Sequence, residues 1–82
     1  MFRVILISVM ALKYKRIREL REDNDLSQRI IGEKLNITQR AYAYYENGER
    51  MIPPEILSKL ADLYNVSVDY LLERTNNKYT NY

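Results

Sequence analysis

The chain has no cysteine, no histidine and no tryptophan, and only two glycines and two prolines among its 82 residues. Without cysteine, neither a disulfide framework nor a thiolate zinc site can hold the fold, so an apolar core must do it. Without histidine, the commonest general base and the commonest metal ligand are both missing. The carboxylates are spread along helical stretches among Lys and Arg, as solvated faces are, and assemble no site. No enzyme is expected, and no metal, cofactor or small-molecule substrate.

At this length the chain is one small domain with a modest core. The net charge of +2 is too small to announce nucleic acid, but it is unevenly placed. Residues 1–50 carry ten Lys/Arg against seven Asp/Glu, whereas residues 51–73 carry Lys59 against Glu55, Asp62, Asp69 and Glu73. A basic first half would turn toward a phosphate backbone, although ordinary surface scatter gives such counts too.

The chain opens on the apolar run MFRVILISVMAL, residues 1–12. It is too short to cross roughly 30 Å of hydrocarbon as a helix, so no membrane span is expected. Arg3 ahead of an apolar stretch has the outline of a signal peptide, but no small-x-small cleavage site follows. Val4, Ile5, Ile7 and Val9 favour a strand, and a lone strand needs a partner. Two readings stand side by side: pairing with the same strand of a second copy, or an upstream start ahead of Met10 that adds an arm without function.

Residues 13–24 read as a first helix, with Tyr14, Ile17 and Leu20 inward and Lys15, Arg18 and Glu22 outward. Asn24-Asp25 ends it. Ser27 is a second start, since its hydroxyl can accept from an unpartnered backbone N–H of the next turn. Ile31 and Leu35 then share one face, and Asn36, tolerant of a left-handed backbone, reverses the chain. Thr38 caps again, Ala41, Tyr42 and Tyr45 form the next inward stripe, and Asn47-Gly48 stops it. Gly32, in mid-helix, marks a close approach of a neighbouring helix. After a polar loop over residues 49–53, Pro54 suits a first helical turn. Ile56, Leu57, Leu60, Ala61, Leu63 and Tyr64 give a broad apolar face closed by Asn65. Ser67 caps a short last helix carrying Val68, Leu71 and Leu72, and residues 74–82 show no periodicity, as a flexible tail would.

Two short helices joined by a tight turn, LSQRIIGEKLNITQRAYAYYENG, sit at the centre of this order. With RELRE before them and KLADLYNVSVDYLL after, they resemble the lambda-repressor-like, XRE-type helix-turn-helix family over roughly three quarters of the chain. The resemblance implies a compact all-α domain of five helices over residues 13–73, with the apolar arm before it. It implies sequence-specific binding of double-stranded DNA as a cytoplasmic, nucleoid-associated transcriptional regulator, a repressor acting as a homodimer on a palindromic operator. The second helix of such a motif enters the major groove, where base edges carry an unambiguous code. By resemblance Gln39, Arg40 and Tyr44 are base contacts, Gln28, Asn47, Gly48 and Arg50 are phosphate contacts, and Arg21 pairs with Glu46. Arg16 and Arg29 read as further phosphate contacts or as solubilising surface.

The sequence departs from the family at Asn36, where glycine is usual, at Tyr42, where an aliphatic residue is commoner, and at Ile30, where a glutamate would complete a capping box with Ser27. Ile30 is thus expected as an exposed apolar residue in search of a partner. That residue and the arm favour the alternative, a protein-interaction module of the same fold, such as an antitoxin-like or anti-repressor partner.

Overall fold

Five helices follow one another in the computed structural model, which describes residues 14–79: α1 Lys15–Asp23, α2 Gln28–Leu35, α3 Gln39–Glu46, α4 Pro54–Tyr64 and α5 Val68–Leu71. No strand occurs among the described residues, and the all-α expectation holds. The arm, with Val4, Ile5, Ile7 and Val9, lies outside them.

Three helices begin on the residues the sequence marks. Ser27, Thr38 and Ser67 are extended, and their hydroxyls accept from the N–H groups of Ile30 (3.1 Å), Ala41 (3.0 Å) and Tyr70 (3.0 Å). Each such cap contributes about 1 kcal/mol. α4 has no side-chain cap; it starts with Pro54 at its first position, where a missing N–H goes unnoticed.

All five helices end alike. Asp25, Asn36, Gly48, Asn65 and Glu73 have φ between 55° and 77°, and each stands just past its helix. The N–H of each left-handed residue returns three residues back and the following N–H five back, as in Leu26 to Arg21 O (3.0 Å) and Ile37 to Gly32 O (2.9 Å). This double closure satisfies carbonyls that the helix leaves open. Leu26, Ile37 and Val66, which make the longer bond at three ends, also pack against the core.

Tyr14, Ile17, Ile31, Leu35, Tyr42, Ile52, Ile56, Leu60, Ala61 and Leu71 are buried together, drawing on every helix and on the loop before α4. Ile52 is 6% exposed although the sequence places it in a polar loop. Its N–H faces the Tyr14 hydroxyl at 3.4 Å, so the loop is drawn inward by α1. Ile30, expected exposed, is half-buried; the exposed large apolar residues of the described chain are Met51 and Tyr79.

Residues 74–79 have no regular structure, yet they are fastened. The Arg16 guanidinium donates to the carbonyls of Tyr70 (3.0 Å) and Thr75 (2.5 Å) and to Asn76 Oδ1 (2.6 Å), and lies 4.2 Å from the centre of the Tyr70 ring. The chain then returns to the start of α5, where the Ser67 N–H donates to the Lys78 carbonyl (2.6 Å).

Candidate nucleic-acid interface

The turn between α2 and α3 fixes how the two helices cross. Asn36 holds the left-handed reversal at φ 60°, and Gly32 lets the returning chain lie directly on α2. A Cβ at Gly32 would sit 3.1 Å from the Ile37 carbonyl oxygen and 3.2 Å from the Gln39 nitrogen. The helical penalty of about 1 kcal/mol for glycine is thus the condition for the close crossing.

α3 turns its apolar side inward through the fully buried Tyr42 and presents the opposite side outward. Gln39 and Arg40, at its first two positions, are exposed, and neither side chain has a hydrogen bond or ion pair among the described residues. Tyr44, one turn on, is half-buried. The Arg50 guanidinium lies 4.5 Å from the Tyr44 ring centre, a cation–π contact that contributes about 0.5–1 kcal/mol at an exposed site. Thr38, Arg40, Ala41, Tyr44 and Arg50 line an open depression of about 240 Å³, so both arginines border one hollow.

Behind this face α3 is tied to α1 and α2 through one carboxylate. Glu46 is 2% exposed. Arg21 donates to both of its oxygens, Nε to Oε2 at 2.7 Å and Nη2 to Oε1 at 3.0 Å, and also to the Leu26 carbonyl at 2.8 Å. Tyr42 donates to Oε2 at 2.6 Å, and Gln28 and Arg18 reach Oε1 at 3.2 and 3.4 Å. Burial alone would raise the Glu46 pKa, but the bonds from Arg21, Tyr42 and Gln28 outweigh it and hold the carboxyl below its ordinary range. Burial and the bond to Glu46 raise the Tyr42 pKa. The Tyr64 hydroxyl, on α4, is buried with no hydrogen-bond partner among the described residues, and burial pushes its pKa up to about 12.

The expected phosphate contacts are placed less simply. Gln28 stands at the start of α2, with one amide hydrogen directed to Glu46 and the other unused. Asn47 is exposed, accepting from Arg18 and donating to Glu49, both at 3.3 Å. The backbone N–H groups of residues 47–50, Gly48 included, all return to carbonyls of α3, so that stretch offers side chains rather than amides. Arg29 is paired with Glu33 at 2.8 Å across one exposed helical turn. Arg16 is committed to the C-terminal segment. Sequence reasoning missed the convergence of Tyr42, Gln28 and Arg18 on Glu46; the i, i+4 spacing of Tyr42 and Glu46 was its one local signal.

The profile of the helix-turn-helix family matches residues 17–71, which span α1 to α5. The chain belongs to the XRE-type helix-turn-helix family. Among its relatives in Bacillus subtilis, the HTH-type transcriptional regulator ImmR is 43% identical over 58 residues, 71% of this chain and 46% of ImmR. The uncharacterized HTH-type transcriptional regulator YobD is 39% identical over 62 residues, 76% of this chain and 55% of YobD. The HTH-type transcriptional regulator AnsR is 38% identical over 65 residues, 79% of this chain and 56% of AnsR. The chain thus spans about half the length of the curated relatives it matches. In this helix-turn-helix protein α2 and α3 are the two motif helices, and the start of α3 is exposed. No helix among the described residues is long and apolar enough to cross a membrane, and none of their acidic groups cluster as a metal site.

Proposed function

We propose that the protein is a sequence-specific DNA-binding transcriptional regulator of the nucleoid, a repressor that acts as a homodimer on a palindromic operator. The observation that carries this reading is the pair of unpartnered, exposed side chains, Gln39 and Arg40, at the start of α3. Gln matches the donor and acceptor pair on adenine, and Arg the two acceptors on guanine. They have no local partner to give up. Gln28 and Asn47, at the start of α2 and the end of α3, flank the reader and serve as phosphate contacts that fix its register. One such domain reads only a few base pairs, and useful selectivity over a genome asks for two copies on related half-sites. The names of the relatives, transcriptional regulators all three, support the same reading.

Selection of bound duplexes from a random library, at a salt concentration that suppresses non-specific binding, tests it. A palindromic motif is the expected result. Replacing Gln39 and Arg40 together by Ala should weaken binding to that motif at least about 30-fold, since each bidentate pair discriminates by about 1–3 kcal/mol. Equal binding by the double variant would refute the site, and the absence of any motif would refute the function.

A further inference from the structure

The sequence places Arg50 among the phosphate contacts, but its position in the fold points elsewhere. Arg50 belongs to the loop after α3, and a loop arginine in search of phosphate has no reason to lie along the helix. This one does. Its guanidinium rests 4.5 Å from the ring centre of Tyr44. The loop backbone is tied to the same residue, with the Glu49 and Arg50 N–H groups both donating to the Tyr44 carbonyl at 2.9 and 3.3 Å. Arg50 makes no ion pair or side-chain hydrogen bond among the described residues, so its donors are available. It also borders the hollow that Arg40, Thr38 and Ala41 border.

We propose that Arg50 is a further base-reading residue, beside Gln39 and Arg40, and that Tyr44 is its positioning residue. A guanidinium that gives its face to an aromatic ring keeps its in-plane N–H edge free, and that edge is the one that matches guanine O6 and N7. Tyr44 stands on the side of α3 that carries Arg40, so a guanidinium held against it faces the groove floor beside the base that Arg40 reads. The ligand is a guanine edge in the major groove, near the base that Arg40 reads. This inference rests on the DNA-binding reading above and gives one more residue of its site a role.

The test combines library selection with salt titration for the wild type and for Arg50→Ala, Tyr44→Leu and Tyr44→Phe. Circular dichroism confirms that each variant is folded; Arg50 is exposed, and Tyr44→Phe keeps the ring. In Arg50→Ala, preference at a single guanine position should fall roughly 5- to 100-fold, with the other positions retained. Tyr44→Leu should relax the same position, and Tyr44→Phe should keep it. A uniform loss across all sequences, with the salt slope reduced by about one, makes Arg50 a phosphate contact and overturns the proposal. So does a Tyr44→Leu variant that retains the preference lost in Arg50→Ala. A wild type that selects no motif refutes the DNA-binding function itself, a result distinct from either of these.

Discussion

Replacing Glu46 by Gln isolates what one charge does in this fold. The two side chains have nearly equal shape, but the amide can accept on one side only. Arg21 donates to both oxygens of Glu46, so whichever way the amide turns, its NH₂ group meets a guanidinium N–H that cannot accept. The Arg21 side chain is only 15% exposed and is left without its counter-ion. Removing one member of a buried pair costs about 3–5 kcal/mol. The remaining amide oxygen and the partial exposure of Arg21 reduce this to about 2–3 kcal/mol. For a domain of this size that is about a sixth or more of a total of roughly 4–12 kcal/mol, and a fall in Tm of about 10–20 °C.

Urea unfolding followed by circular dichroism measures the loss, with an unchanged m-value as the sign that the folded state is the same. The pH dependence gives an independent reading. The folded Glu46 pKa lies below its ordinary value of 4.5, so the folded state binds fewer protons than the unfolded chain in the interval between them. The stabilisation by Glu46 is therefore fully present above about pH 4.5 and disappears as the pH falls through the lower, folded value. The difference between wild type and Glu46→Gln should be largest at neutral pH and shrink across that acid interval. A loss below about 0.5 kcal/mol at pH 7, within the range of exposed pairs, would refute the reasoning, as would a difference that does not change with acidification.

Other expectations follow from local geometry. Gly32→Ala should lower stability by about 1 kcal/mol despite the better helix propensity of Ala, because the new Cβ meets backbone atoms of Ile37 and Gln39 at 3.1–3.2 Å; an unchanged or higher Tm would show that the crossing can relax. Glu73→Gly should raise stability by about 0.5–1 kcal/mol by relieving a left-handed glutamate, whereas Asn36→Gly should be nearly neutral, since Asn tolerates that conformation; equal effects at the two sites would refute the argument. Arg16→Ala should speed amide exchange over residues 74–79, read by hydrogen exchange with mass spectrometry, while the amides of α2 and α3 keep their protection. Unchanged exchange in that segment would mean that Arg16 does not hold it.

What was legible in the sequence is what is encoded within a few residues. The hydroxyls of Ser27, Thr38 and Ser67 start helices because their partners are three residues away, and Ile31, Leu35, Leu60 and Leu71 are inward because helical spacing puts them on one face. Ile52 was not legible, since it lies outside any periodic stretch and joins a core whose other members, Tyr14 among them, are brought to it only by the fold. The partners of Arg16 are largely backbone carbonyls, which leave no trace in side-chain pattern, so it read as a phosphate contact or as solubilising surface. Glu73 was not expected in a left-handed turn because glutamate has no local side-chain bond that favours one. At the candidate interface, the outward residues of α3 followed from periodicity and resemblance. The Tyr44–Arg50 stack did not, because it depends on how a loop returns to its own helix.

The fastening of residues 74–79 brings the two ends of the described chain together. Arg16, near the beginning, touches Tyr70, Thr75 and Asn76, near the end. Topologically the described chain is then almost a closed ring, and a flexible linker could join its ends. A circular permutant opened between Glu49 and Arg50 would leave all five helices whole while cutting Tyr44 and Arg50 apart in sequence. Such a rearranged chain would separate the stability of the domain from the behaviour of that loop without replacing a single side chain.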